Sequence, residues 1–395
     1  MRIAYVCADP GVPVFGRKGC SVHVQEVVRA FRRLNHDVTL LATRIGGEVP
    51  ENLADLSLLE LPPVESGPQA QREQAALAAN RGLADGLESA GPFDLVYERH
   101  SLWSYAAMEF ARQVEIPGLL EVNSPLIEEQ VQYRGLVHED LARRTVERSF
   151  RTATVLLAVS QGVAQRLGEW GADDKIHIVP NGVDPTRFDN RFRTDSSADA
   201  DTFTVGFLGT LKPWHGVTTL LDSCARALGD IPGLRLLIVG DGPLRPTIES
   251  DLSRLGIEHI SKLTGAIAPT DVPEYLARMD VAVAPYPSLE GFYFSPLKLF
   301  EYMAARKAIV ATALGQIEEI IVQDVNGLLC PPDDAGALAE ALVRLHEDAD
   351  LRKRLGEEAR RTIERDHTWD GVAQRILALA GTHRVNSLAV GGTER

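Results

Sequence analysis

Residues 290–312 read EGFYFSPLKLFEYMAARKAIVAT, the most informative stretch of the chain. It opens as a Gly/aromatic loop. Pro296 suits a first helical turn, where its missing N–H removes no hydrogen bond. The spacing predicts a helix from near Pro296, with Glu301 one to two turns in, followed by a buried strand over 309–311. A loop that feeds a helix start presents unbonded amide N–H groups to an anion such as a diphosphate. Lys298 adds a cation there, and the Glu301 carboxylate can accept two hydrogen bonds from the vicinal hydroxyls of a ribose. The plain alternative is a strand–helix unit whose Glu301 is merely solvated. The company this segment keeps strengthens the first reading.

Outward from it, strand and helix alternate along the chain. In the second half, strands are predicted over 203–208, 236–239, 259–263, 281–284, 308–311 and 327–329. Asp333 and Asp334 stand where a helix should start, and the last helices are expected over 335–364 and 369–380, with a frayed tail after Gly381. In the first half, strands are predicted over 2–8, 37–42, 58–61, 95–98, 118–122, 155–159 and 176–179, with a helix over 21–34. Such alternation is the signature of an α/β protein with parallel, doubly wound sheets. The polar run 189–202 (DNRFRTDSSADADT) interrupts it and reads as an interdomain linker. The expected division is a first domain over 1–187, a linker over 188–202, a second domain over 203–366, a C-terminal helix over 367–383 and a tail over 384–395.

The composition agrees. A chain of 395 residues is long enough for two domains, since single cores rarely grow past roughly 250–300 residues. No apolar run approaches the ~20 residues needed to span a bilayer, and MRIAYVCADPGVPVFG reads as a strand and loop rather than a secretion signal. Cys7, Cys20, Cys224 and Cys330 match no Cys-x-x-Cys spacing, so a reduced, cytoplasmic protein without disulfides or structural zinc is expected. A net charge of −14 argues against nucleic-acid binding, which depends on neutralising many phosphates, but leaves room for a local basic pocket.

Loop 9–19 (DPGVPVFGRKG) follows the first strand, at the strand end where open α/β sheets place ligands. Gly16 and Gly19 allow close backbone approach, and Arg17 and Lys18 bring positive charge; a simple turn with two solvated cations is the alternative. The loop is neither a Gly-x-Gly-x-x-Gly dinucleotide fingerprint nor a Walker motif, which disfavours a nicotinamide oxidoreductase.

Taken together, the 290–312 segment resembles the nucleotide-sugar site of the retaining glycosyltransferase family 4. The family's other features follow in order: the N-terminal Gly loop, Ser160 with Pro180–Asn181–Gly182–Val183–Asp184, GFLGTLKPWHG over 206–216, and Gly240–Asp241–Gly242–Pro243. Residues 263–286 (LTGAIAPTDVPEYLARMDVAVAPY) resemble its base-binding stretch. The likeness covers all but the linker and the last dozen or so residues. It implies a GT-B fold of two Rossmann-like parallel-sheet domains facing a cleft, with the final helix, containing Trp369, crossing back to the first domain. It further implies that Glu301 binds the donor ribose, that backbone groups around Pro296, Leu297 and Lys298 hold the diphosphate, that Ser295 is a further donor-binding residue, and that Gly265 and Ala266 lie beside the nucleobase. Gly16, with Arg17 after it, would admit the donor phosphate to the first domain.

Three positions depart from the family. Where a Glu eight residues before Glu301 usually contacts the donor sugar, this chain has Tyr293; Glu290 lies three residues earlier and is the substitute candidate, or a solvated loop residue. The phosphate-binding Arg and Lys that usually follow Gly209 are here Thr210 and His215, with Lys212 between them as the candidate cation; a structural His215 is the alternative. Where the family often places a His that touches the sugar, the chain has Asn123, which can hydrogen-bond but cannot take a proton at neutral pH. His100 is the runner-up at that place.

The resemblance implies retaining transfer of a sugar to a hydroxyl acceptor, with Lys212, Lys298 and Asn123 as the catalytic candidates and no protein nucleophile. No Asp-x-Asp clamp suggests a metal, and no cofactor is expected: the nucleotide sugar is a co-substrate, a UDP-sugar on family frequency. The acceptor is unknown, its loops being 9–20, 62–72 and 124–138, and the oligomeric state is open. Arg143, Arg144, Arg148 and Arg151 leave weak membrane association open, with a solvated helix favoured. Competing functions are a catalytically silent sugar-nucleotide-binding partner, an epimerase and a sugar-phosphate synthase.

Overall fold

The structure, a computed structural model, describes residues 1–189, 202–289 and 291–390, with side chains to residue 382. They form two units, one of Met1–Asn181, Tyr293–Ser295 and Trp369–Arg395, the other of Gly182–Phe292 and Pro296–Thr368. Most of the linker expected over 188–202, namely residues 190–201, lies outside the described residues, as do residues 391–395 of the expected tail.

The first unit contains strands β1 (Arg2–Cys7), β2 (Asp37–Ala42), β3 (Ser57–Glu60), β4 (Leu95–Arg99), β5 (Gly118–Val122), β6 (Val155–Ala158) and β7 (Ile176–Ile178). They form a seven-stranded sheet in the order β3-β2-β1-β4-β5-β6-β7, with every pairing parallel. Helices cover both faces of such a sheet, so its central strands must be apolar throughout. β1 (RIAYVC) and β2 (DVTLLA) are buried from their second residue on, and β5 (GLLEV) is buried along its length, which carries Glu121 inside. The edges are short and more exposed: SLLE in β3 and IHI in β7.

The second unit repeats the plan with β8 (Phe203–Leu208), β9 (Leu234–Val239), β10 (Ser261–Leu263), β11 (Val281–Ala284), β12 (Ala308–Thr312) and β13 (Leu328–Cys330). Their order is β10-β9-β8-β11-β12-β13, again all parallel. Phe203, Val205, Phe207, Leu220, Leu236, Val283 and Leu342 belong to one buried cluster. Each such side chain contributes about 1.5–3 kcal/mol of transfer free energy. In both sheets the strand order reverses beside the first strand, between β1 and β4 and between β8 and β11. In this class, ligands settle outside the carboxyl ends of the strands at such a reversal.

Two helix boundaries differ from expectation. The helix expected over 335–364 is two, Ala335–Glu347 and Ala349–Asp366. Asp348, at φ −116° and ψ 88°, ends the first, and its carboxylate accepts from Leu351 N at 2.8 Å to cap the second. The last helix, Trp369–Val390, runs beyond both the residue 380 expected from its pattern and the boundary at 383. It packs in the first unit on the helix Gly19–Arg33, with Trp369 edge-on to His23 at 5.1 Å and Asp370 paired to Arg33 at 2.6 Å. Of the expected caps, Asp334 accepts from Ala337 N at 2.9 Å, while Asp333 instead accepts from Ser288 N at 2.8 Å. All four cysteines are free.

Candidate active site

In the second unit the loops after β8 and β11 flank the point where the strand order reverses. The helix Leu297–Ala304 is buried on most of its surface, through Leu299, Phe300, Tyr302, Met303 and Ala304. Tyr302 OH accepts from Leu208 N at 2.7 Å and so ties the end of β8 to this helix. The chain then turns at Gly209, whose φ of +143° an L side chain rarely adopts and whose Cβ would stand 2.8 Å from Lys298 Nζ. The neighbouring loop comes equally close: a Cβ on Gly240 would lie 2.0 Å from the Gly209 carbonyl oxygen. The Gly240 loop thus packs on Gly209, and Gly209 lies against the ammonium at the start of the helix.

That group is buried. Lys298 is 9% exposed, with Nζ 4.1 Å from the centre of the Phe207 ring and 5.2 Å from that of Tyr286. Ring faces are electron-rich and attract a cation, but they do not replace hydrogen bonds lost from water. Nζ has no hydrogen-bond partner among the described residues. Burial pushes its pKa down to about 7, against the opposing pull of Glu301. At neutral pH the group is poised between its two states, and an arriving anion would hold it charged.

His215, expected as a donor ligand whose charge a diphosphate would set, has its Nδ1 against the Thr210 carbonyl oxygen. Burial, with Lys298 and then Lys212 adding repulsion, pushes its pKa down to about 3. The ring is neutral, and Nδ1 must carry the proton because a carbonyl can only accept. Lys212 is half-buried at the start of the turn Pro213–His215, with Nζ 5.5 Å from the centre of the Trp214 ring. Of the two candidate lysines, Lys298 is the buried one, its Nζ without a hydrogen-bond partner among the described residues, while Lys212 is half-buried.

Glu301 stands just past the first turn of its helix, with Oε1 3.7 Å from Arg187 Nη1. The helix ends with Arg306 at φ +55°, and Lys307 N bonds back to the Tyr302 carbonyl, the αL cap that a Gly usually supplies. Pro296 is the residue before the helix, and Leu297 its first. Gly265 bridges to Gly240 beside that loop, while Ala266 is exposed. Glu290 lies outside the described residues.

In the first unit Asn123 follows β5, and its Nδ2 donates to Glu121 Oε2 at 3.0 Å. A carboxylate only accepts, so the amide nitrogen must face it. Glu121 Oε1 lies 3.0 Å from His23 Nε2, and Oε2 3.7 Å from Arg99 Nη1. Burial works to raise the Glu121 pKa, but His23 and Arg99 outweigh it and hold the carboxyl at about 2. Gly16 is packed within its own loop, donating to the Pro13 carbonyl at 2.9 Å, and Arg17 beside it is exposed. Tyr293 and Ser295 also count with this unit: Tyr293 OH donates to Glu129 at 2.7 Å, and Asn181 Nδ2 to the Ser295 carbonyl at 2.9 Å. His100 is buried against Phe150 at 5.4 Å, and burial drives its pKa down to about 4, as befits a core residue.

Several contributors escape a reading of the sequence. Arg187 beside Glu301, and Phe207 and Tyr286 beneath Lys298, are brought in from distant segments. The one local signal for Arg187 is its place three residues after Asp184 in a Pro-initiated turn. Among the described residues no cluster of three or more His, Cys, Asp or Glu could hold a metal ion, and no helix is long and apolar enough to cross a membrane. In the basic run, Arg143 pairs with Glu139 and Arg148 with Glu109.

Two family models match the chain: "Glycosyltransferase Family 4" over residues 17–187 and "Glycosyl transferases group 1" over residues 202–348. An uncharacterized glycosyltransferase of Methanocaldococcus jannaschii is 22% identical over 95% of this chain and 97% of its own. Sucrose-phosphate synthase from Thermosynechococcus elongatus superposes with a TM-score of 0.73 at 18% identity, covering 98% of this chain and 100% of that one. Anabaena HepE, solved in complex with UDP-glucose, gives 0.73 at 18% identity over 97% of this chain and 100% of its own. With both halves matched by family models and both sheets wound in the same order, the chain belongs to glycosyltransferase family 4, enzymes of GT-B fold that take their sugar from a nucleotide donor.

Proposed function

We propose that this chain transfers a hexose from a UDP-sugar to a hydroxyl acceptor, with retention of configuration and without a metal ion. The observation that carries the reading is Lys298, a buried ammonium without a hydrogen-bond partner among the described residues, one residue into the helix that bears Glu301. A diphosphate fits there: helix-start N–H groups and the ammonium meet its charge, and Glu301 takes the ribose hydroxyls. HepE is described in complex with UDP-glucose, which supports uridine as the base.

As the bond from the anomeric carbon to the diphosphate breaks, negative charge grows on the leaving oxygen. Lys298 and the helix-start amides stabilise that charge in place, with Lys212 at the outer side. The acceptor hydroxyl attacks from the face the diphosphate leaves, and its proton passes to the departing phosphate. No protein nucleophile is needed. Asn123, held by Glu121, orients a sugar hydroxyl. In the second unit Gly209, Gly265 and Ala266 border the donor.

The test is a thermal-shift screen of wild type and Glu301→Ala against UDP, GDP, ADP and their sugar conjugates. UDP at a hundredfold over its Kd should stabilise wild type by about 2.7 kcal/mol and leave the variant unmoved. A shift with GDP alone would overturn the uridine assignment, and no shift at millimolar nucleotide would favour a silent partner. Turnover should survive EDTA; loss of activity with recovery on adding magnesium would refute metal independence.

A further inference from the structure

Arg187 occupies a 3-10 turn, Pro185–Phe188, whose start is held by the Asp184 carboxylate accepting from Thr186 N at 3.0 Å. Its guanidinium reaches in two directions. Nη1 lies 3.7 Å from Glu301 Oε1, and Nη2 donates to the Pro269 carbonyl at 2.8 Å. Pro269 belongs to the segment that carries Gly265 and Ala266. One planar fork therefore touches both the carboxylate read as the ribose ligand and the loop read as the base wall. The two side chains are 22% and 18% exposed, so the pair is sheltered from solvent without being sealed from a ligand.

The turn is itself fixed in place. Arg360, 5% exposed, donates to the Pro185 carbonyl and to the Ala304 carbonyl at 2.8 Å each, and its charge is met by Asp189 at 2.8 Å and Glu364 at 2.6 Å. Pro185 begins the turn that holds Arg187, and Ala304 ends the helix that holds Glu301. The two elements share one clamp, so the Arg187–Glu301 distance is set by backbone that is pinned at both sides.

We propose that Arg187 is a positioning residue for the nucleoside half of the donor: it holds the Glu301 carboxylate and the 264–271 loop at one separation, so that ribose and base are bound together. The inference rests on Glu301 as the ribose ligand. The fork geometry matters, since Lys is a point charge that can pair with Glu301 but cannot span to Pro269 in the same way. Nothing in this role touches the diphosphate, and that separates it from simple structural support.

The experiment measures binding of UDP and of inorganic pyrophosphate by calorimetry to wild type, Arg187→Met, Arg187→Lys, Glu301→Ala and the Arg187→Met/Glu301→Ala double variant. Arg187→Met should raise the UDP Kd about tenfold while the pyrophosphate Kd stays within about twofold, and Arg187→Lys should fall between it and wild type. The double variant should bind UDP more tightly than the two single losses added together predict, because part of the effect of Arg187 runs through that carboxylate. Unchanged UDP affinity in Arg187→Met, equal weakening of both probes, or additive losses in the double variant would overturn the inference alone. Unchanged UDP affinity in Glu301→Ala would overturn the donor reading, and this inference with it. Should Arg187→Met fail to fold, Arg187→Gln replaces it against the same two probes.

Discussion

Glu121 in the first unit and Lys298 in the second are both buried charged residues, 5% and 9% exposed, near the carboxyl ends of parallel strands. Their surroundings differ. Glu121 has His23 at 3.0 Å, Asn123 donating at 3.0 Å and Arg99 at 3.7 Å, and its carboxyl is held at about 2 despite burial. Lys298 has two aromatic rings and no hydrogen-bond partner among the described residues, and burial brings its ammonium down to about 7. The comparison separates two uses of buried charge. A charge whose partners are all protein is part of the scaffold and fixes the geometry of its neighbours. A charge left without partners opposes folding and, on the function proposed above, is kept for a ligand that supplies what the protein withholds.

Removal of Glu121 should have the largest effect. Glu121→Ala leaves Arg99 without its ion-pair partner, His23 without its neighbouring carboxylate and the Asn123 amide without its acceptor, and should cost roughly 3–5 kcal/mol, read from urea denaturation. Its pH dependence has a definite sign. The folded pKa lies below the reference 4.5, so the contribution is complete above that value and is lost as pH falls towards about 2. A loss of under 1 kcal/mol would mean the network is not a scaffold, and the contrast would collapse.

Lys298→Met should act in the opposite sense on stability and strongly on function. Turnover should fall by ~10²–10³ and the UDP-induced shift should vanish. The free variant should nonetheless melt higher than wild type at neutral pH. With the folded pKa near 7 and a reference of 10.5, the ammonium opposes folding fully below 7, and that opposition fades as pH rises to 10.5. The Tm advantage should therefore be widest below pH 7 and narrow above it. A variant that melts lower at every pH would show that Lys298 is structural.

Gly209→Ala sharpens the same point from the backbone. At φ +143°, with the new Cβ 2.8 Å from Nζ, it should lose ~1–3 kcal/mol and displace the ammonium, weakening UDP binding. The smallest effect is expected for His215→Asn, the loss of about one neutral hydrogen bond, worth ~0.5–1.5 kcal/mol. Because the imidazole titrates near 3, the activity profile between pH 6 and 8 should keep its shape. Disappearance of an inflection in that window would give His215 a charge it lacks here.

The site was unevenly legible before folding. Lys298 and Glu301 share one helix, so their mutual arrangement follows from the 3.6-residue period, whereas Pro296, read as part of the first turn, stands just before it with an extended backbone. Strand β5 was equally readable, yet nothing in GLLEV tells that Glu121 meets His23 across 98 positions of chain. Lys212 and Lys298 could not be ranked from sequence either. Lys298 lies over rings delivered by β8 and the loop after β11, while Lys212 sits on a half-buried turn against Trp214.

Local pattern determined the alternation of strands and helices that makes two parallel sheets and the helix that begins after Pro296, because backbone hydrogen bonding and apolar periodicity act over a few residues. Which charged residues are paired and which are left waiting was decided only in the tertiary structure. Protonation state, fixed orientation and the Arg187 bridge all depend on desolvation and on partners within about 4 Å, and packing brings those partners from segments far apart along the chain.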